Sequence, residues 1–115
     1  MTLLDEAVLA QLAEDIGEEM MPVVIEVFIE EVGEQLAQLP PLFEQAQWHS
    51  LGRLAHSLKS SCASYGARQS LQQVIALEQA CKRQDSAESG LLIGQLQQSL
   101  PQVFTQLHDY CHPPA

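Results

Sequence analysis

The chain has 115 residues, of which 15 are acidic and 5 are basic, and its formal net charge is −10. This length predicts one compact domain over residues 1–115, and an apolar content of 46 % is enough to build a core. No apolar run reaches the roughly 18 residues that cross a bilayer, and the start of the chain lacks the basic region of a signal peptide. The acidic balance argues against nucleic acid and against anionic membrane surfaces as partners.

The basic residues are clustered in the middle of the chain. All five lie between Arg53 and Arg83, where Glu78 is the one acid, so this stretch carries +4 and the remainder carries −14. Such asymmetry suggests that one face meets an acidic partner, although chance clustering of five residues gives the same pattern. The odd number of cysteines indicates reduced thiols in a cytoplasmic protein. These cysteines are Cys62, Cys81 and Cys111.

The first part of the chain predicts two helices. Strand alternation is almost absent throughout, so the pattern indicates an all-α protein. A short amphipathic helix covers about residues 4–16, and a longer one runs from about residue 19 to residue 39. Pro40 and Pro41 are expected to break or kink that second helix, with a further helical turn over residues 42–46.

Three more helices follow. The third spans about residues 47–66 and ends at Gly66, which has the position of a C-terminal capping glycine. The fourth covers about residues 68–83, and the fifth runs from a cap at Asp85 or Ser86 to about residue 110. The connections are short, which predicts antiparallel packing of helices that follow each other in the sequence.

The third predicted helix carries an unusual histidine. Its apolar side chains recur at the spacing of a buried face, which places His56 on the solvent side. Small residues surround this histidine, and Arg53, Lys59 and Ser60 lie within one turn of it. A lone histidine on a helix is most often structural, but this one is open to close approach by another protein. The buried face comprises Leu51, Leu54, Ala55, Leu58, Cys62 and Tyr65.

Glu78 lies at the edge of the apolar face of the fourth helix. A carboxylate there needs a partner, and His56 on the neighbouring helix is a candidate. A bond from Nδ1–H to the carboxylate would leave the lone pair of Nε2 free as a nucleophile. Lys59 would then contact the oxygens of an incoming phosphoryl group. Two alternatives stay open for Glu78, namely solvent and an ion pair with Lys82 four residues on.

The sequence AHSLKSSCASYGA, from Ala55 to Ala67, resembles the signature of histidine phosphotransfer (HPt) domains. In that family an A-H-x-L-K-G core is followed by a glycine ten residues after the histidine, where this chain has Gly66. Ser60 replaces the glycine after the lysine, as it does in stand-alone members that act in quorum sensing. The resemblance implies an antiparallel four-helix bundle with a short extra N-terminal helix, and it makes His56 the phosphorylated residue.

The same resemblance implies a function and its partners. HPt domains are phosphocarriers of multistep two-component phosphorelays and have no kinase activity of their own. The donor would be the receiver domain of a hybrid sensor histidine kinase, and the acceptor a downstream response regulator. We expect no cofactor on this chain, with Mg²⁺ bound by the partner receiver, and a stand-alone monomer. Lys59, Ser60 and Glu78 would contact the phosphoryl group or orient the histidine. The expected docking surface comprises Gly52, Arg53, Ala63, Gly66 and Arg68.

Two other function classes remain open at this point. One is a non-catalytic helical adaptor with a degenerate HPt fold, which the presence of His56 and Lys59 argues against. The other is a small metal-binding bundle built on His108, Cys111 and His112, whose spacing suits a metal in principle. Prolines close to those residues and the lack of a second ligand pair make the metal site the weaker of the two.

Overall fold

The computed structural model describes residues 3–113. Its helices are α1 (Glu6–Ile16), α2 (Met21–Glu44), α3 (Trp48–Ser64), α4 (Arg68–Lys82) and α5 (Ser86–Cys111). A 3₁₀ turn over Glu18–Met20 joins α1 to α2. The all-α prediction is confirmed, because the described part contains no strand beyond one isolated bridge between Leu4 and Ala67. None of its helices is both long and apolar enough to span a membrane.

Helices α2 to α5 form an antiparallel four-helix bundle, with α1 as the short extra helix. Each helix packs against the next, and α5 closes the ring by packing against α2. Within that last contact Phe43 lies close to Gly90, and Phe104 lies close to Gly33. Because residue numbers rise along one helix as they fall along the other, α2 and α5 run in opposite directions. The fold predicted from the family resemblance is confirmed.

The core is formed by aliphatic side chains from every helix of the bundle. In α3 the predicted buried face is largely confirmed, with Leu54 and Tyr65 only half-buried at its edges. Full burial of one leucine side chain stabilises the folded state by roughly 1.5–3 kcal/mol, so this set determines which way each helix faces. The largest fully buried side chains are Leu9, Ile25, Leu39, Leu51, Leu58, Leu77, Leu96, Leu100, Leu107, Val32, Val74 and Val103.

Of the break or kink predicted at Pro40 and Pro41, the break does not occur. Pro40 and Pro41 lie inside α2, which continues to Glu44. Each proline removes one hydrogen bond of the helix, but the residues after the pair are held by tertiary contacts. Leu42 and Phe43 pack against the core, and the Phe43 ring makes an edge contact with Trp48 at a centroid distance of 6.2 Å. This packing compensates for the lost bonds.

The turn between α3 and α4 is held by the N-terminal segment. Gly66 has a φ of 72°, which favours glycine, and a Cβ there would lie 2.8 Å from the Asp5 carbonyl oxygen. The Asp5 amide donates to the Gly66 carbonyl at 2.8 Å, and the Asp5 carboxylate caps α1 by accepting from the Ala7 amide. Gly66 is therefore required by the fold, because no other residue leaves space for Asp5.

Candidate functional site

His56 lies in the middle of α3 on the side away from the core. Its side chain is 66 % exposed, while Ala55 before it is fully buried. The apolar period of α3 causes this exposure, since burying Leu51, Ala55 and Leu58 turns His56 outward. No bulky residue of α3 covers the imidazole, so a second protein can reach it.

Glu78 of α4 joins His56 to Lys59. The glutamate is only 8 % exposed, and its Oε2 lies 2.9 Å from His56 Nδ1. Its Oε1 accepts a hydrogen bond of 2.9 Å from Lys59 Nζ. The contact predicted between Glu78 and His56 is present, and no Glu78–Lys82 ion pair forms among the described residues. One carboxylate thus holds two side chains of the neighbouring helix.

The partners of Glu78 keep it ionised. The hydrogen bond from Lys59 lowers the pKa of the Glu78 carboxyl most strongly, burial opposes this effect, and the hydrogen bond to His56 lowers the pKa further. An ionised carboxylate only accepts hydrogen bonds, so in this contact His56 Nδ1 carries the proton. In the neutral form of the imidazole Nε2 is then unprotonated, and this is the form of histidine that acts as a nucleophile.

The structure separates the predicted docking residues into two groups. Gly52 and Arg53 line the same groove as His56, and Ala63 is exposed two turns further along α3. Gly66, in contrast, is buried beneath Asp5 and offers no surface to a partner, because the fold uses it as a turn residue. Arg68 is exposed at the start of α4, where its Nε lies 4.0 Å from the carboxylate of Asp5. Ser60 is exposed one turn after His56.

The structure contains a groove beside His56 that the sequence did not predict. It has a volume of about 430 Å³ and lies between the first half of α3 and the last turn of α4. The sequence signal for it is weak, because its walls come from two helices and only a mid-helix glycine, Gly52, marks it. The lining residues are Trp48, His49, Gly52, Arg53, His56, Glu78, Cys81, Lys82 and Gln84.

The cysteines and the C-terminal histidines show no comparable chemistry. All three cysteines are free thiols, as predicted, and burial raises the pKa of Cys62 to about 12, which keeps that thiol protonated. The rings of His108 and His112 contact each other with centroids 4.8 Å apart and planes tilted by 41°. Within residues 3–113 no group of three or more potential ligands could hold a metal ion.

Comparison with known proteins agrees with this geometry. The sequence model of the family described as "Hpt domain" matches residues 23–108. The chain is 29 % identical over 89 residues to the phosphorelay protein LuxU of Vibrio harveyi, covering 77 % of this chain and 78 % of that protein. It is 27 % identical over 101 residues to LuxU of Vibrio cholerae serotype O1, covering 88 % of this chain and 89 % of that protein. The crystal structure of histidine-containing phosphotransfer protein B (HptB) from Pseudomonas aeruginosa PAO1 superposes with a TM-score of 0.90 at 25 % identity, covering 97 % of this chain and 96 % of that one.

Proposed function

The chain belongs to the Hpt domain family and is a histidine phosphotransfer protein of a phosphorelay, and from this premise we propose that His56 is its phosphorylated residue. The observation that supports the assignment is the contact of 2.9 Å between His56 Nδ1 and Glu78. It leaves Nε2 unprotonated on an exposed side chain. His49 is also exposed on α3, but no ion pair or hydrogen bond of its side chain is present among the described residues.

The proposed step needs no proton transfer at the attacking atom. The lone pair of His56 Nε2 forms a bond to phosphorus, the bond between phosphorus and the aspartyl oxygen of the donor breaks, and its electron pair stays on the aspartate as a carboxylate. Transfer to a second receiver reverses these events with another aspartate. Throughout, Nδ1–H continues to donate to Glu78 and stabilises the ring as its charge changes.

Lys59 supports the same step through its charge. An ammonium group has three donors, and Glu78 uses one of them. We propose that another contacts an oxygen of the phosphoryl group, with Ser60 as the next polar group on the exposed side of α3. Mg²⁺ belongs to the receiver and supplies charge neutralisation there, which fits a phosphocarrier that does not act as a kinase.

The proposed partners are a receiver domain of a hybrid sensor histidine kinase as donor and a response regulator as acceptor. All five basic residues lie between positions 53 and 83, the stretch that contains His56 and Glu78. An acidic receiver face would be attracted to this region, and the acidic remainder of the chain would disfavour other orientations. The charge distribution supports a defined docking face around His56.

A labelling experiment tests the assignment. A purified receiver carrying a labelled aspartyl phosphate is mixed with the wild type, with His56→Gln and with the matched control His108→Gln, which changes an exposed histidine of α5 outside the groove. We expect an acid-labile, alkali-stable label on the wild type and the control, and background label on His56→Gln. Label retained by His56→Gln would contradict the assignment. Binding of the receiver without any label on the wild type would favour the adaptor function instead.

A further inference from the structure

We propose that the groove between α3 and α4 beside His56 receives an apolar side chain of the partner receiver together with a neighbouring carboxylate, and that Gly52 keeps this groove open. The inference rests on the proposed function, because the occupant is the receiver that exchanges the phosphoryl group with His56. It assigns partner discrimination to Gly52, Arg53 and Lys82.

The size and lining of the groove suit a side chain of a partner. Its volume of about 430 Å³ falls within the roughly 300–1,000 Å³ typical of ligand sites. Trp48 and Cys81 contribute apolar surface, and His56 stands at the same groove. A side chain inserted here would therefore dock within reach of the proposed phosphorylated atom.

Gly52 is not required by the fold. It lies inside α3 and is absent from the residues with positive φ, and an added Cβ would meet its nearest neighbour, the Cβ of Cys81, at an ordinary 3.6 Å. A glycine at such a position lowers helix stability relative to alanine, so the helix itself gains nothing from it. Gly66 differs, because its φ and the close approach of Asp5 exclude a side chain. Because Gly52 has no side chain, the volume next to its Cα stays open as part of the groove.

The groove has two positive charges without acidic partners. Arg53 on α3 and Lys82 on α4 line it, and neither forms an ion pair within residues 3–113. The charge of Glu78 is already compensated by Lys59 and by its bond to His56. A carboxylate entering the groove would thus meet two uncompensated cations, which matches the acidic face expected of a receiver.

The first test fills the groove without changing charge. Phosphotransfer is measured over a range of concentrations of a phosphorylated receiver that labels the wild type, using Gly52→Met and the matched control Gly94→Met. Gly94 lies in α5, and a Cβ there would meet no atom within 4 Å. We expect Gly52→Met to raise the half-saturating receiver concentration at least tenfold with little change in maximal rate, and Gly94→Met to leave both unchanged.

The second test removes charge. Arg53→Ala and Lys82→Ala should each raise the half-saturating receiver concentration about threefold or more and make this concentration less dependent on salt. Arg83 lies outside the groove lining, so Arg83→Ala is the control and should change the half-saturating concentration less than twofold. Equal effects of all three substitutions would show a general charge effect and would overturn the role of the groove.

A small donor separates docking from chemistry. Phosphoramidate transfers its phosphoryl group to an imidazole and releases ammonia, and it needs no docking surface. Gly52→Met should react with phosphoramidate at the wild-type rate, and its thermal unfolding should match or exceed that of the wild type. If Gly52→Met slows both donors, the residue acts on His56 itself and the inference fails.

Two further outcomes would overturn the inference in other ways. Unchanged receiver kinetics in Gly52→Met, with His56→Gln still unlabelled, would refute the groove while the proposed function stands. Sedimentation that shows a dimer of the wild type, dissociated by Gly52→Met, would mean that a second copy of the chain occupies the groove. Failure of the wild type itself to accept label would instead refute the proposed function.

Discussion

The outer face of α2 and the contact between α3 and α4 use glutamate in different ways. Glu26, Glu30 and Glu34 of α2 are exposed, and none has an ion pair or hydrogen-bond partner within residues 3–113. Glu78 of α4 is nearly buried and is bonded to His56 and Lys59. A solvated carboxylate adds only charge, whereas one between helices needs partners and positions them in return. The tertiary neighbours, and not the residue type, decide the role.

The largest expected difference between the two regions concerns apolar side chains. Leu58 of α3 is 0 % exposed and Val27 of α2 is 46 % exposed. We expect Leu58→Ala to lower the free energy of unfolding by roughly 2–5 kcal/mol, because it leaves a cavity in the core. Val27→Ala should change it by about 0.5 kcal/mol or less. Denaturant unfolding measures both, and equal effects would mean that the phase of α3 is wrong.

Removal of the positioning carboxylate tests the site directly. Glu78→Ala should slow labelling of His56 by a receiver about tenfold, equivalent to about 1.4 kcal/mol, since the ring loses its bond to a charged acceptor. Nitrogen NMR of the imidazole should show the Nδ1–H tautomer in the wild type and a mixture in the variant. Glu30→Ala is the control and should change neither measurement. An unaltered tautomer in Glu78→Ala would contradict the positioning role.

The pH dependence of stability should report the ion pair of Glu78 with Lys59. Because the pKa of Glu78 is lowered from its ordinary 4.5, its contribution to stability is present above that pH and is lost as the pH falls through the lower folded pKa. In Lys59→Ala the folded pKa of Glu78 rises towards 4.5, the value it has in the unfolded chain, so less stability is lost as the pH falls. The free energy of unfolding, measured from pH 3 to pH 6, should therefore fall less with decreasing pH in Lys59→Ala than in the wild type, whereas Lys82→Ala should behave like the wild type. If the free energy of unfolding depends on pH in the same way in Lys59→Ala and in the wild type, the ion pair does not contribute to the stability of the fold.

The smallest effect is expected on the outer face of α2. The double substitution Glu30→Gln and Glu34→Gln should change the free energy of unfolding by about 0.5 kcal/mol or less, because both side chains are exposed and have no ion-pair partner in the described part of the chain. Transfer from a receiver should stay within about twofold of the wild type. A large loss of transfer would show that α2 belongs to the docking face, and the contrast drawn between the two regions would then be wrong.

The sequence was sufficient for the helices and for the orientation of His56. Apolar side chains repeat with the helical period along each segment. Once the face that they form is buried, the remaining side chains of the helix must point towards solvent. The predicted limits of the third and fourth helices lie within two residues of those of α3 and α4. Leu58 on the buried side and His56 on the exposed side follow from the same spacing. Of the break or kink expected at Pro40 and Pro41, the break does not occur, because packing of the residues after the prolines outweighs the local penalty.

Tertiary structure alone decided how side chains from different helices meet. The sequence suggested Glu78 as a partner for His56. The hydrogen bond from Lys59 to the same carboxylate, however, depends on the axial register between α3 and α4. The groove over Gly52 and the burial of Gly66 beneath Asp5 likewise require two segments far apart in the chain. Local periodicity specifies which side of each helix is apolar. The register between helices is set by interdigitation of the whole core, which no single segment contains.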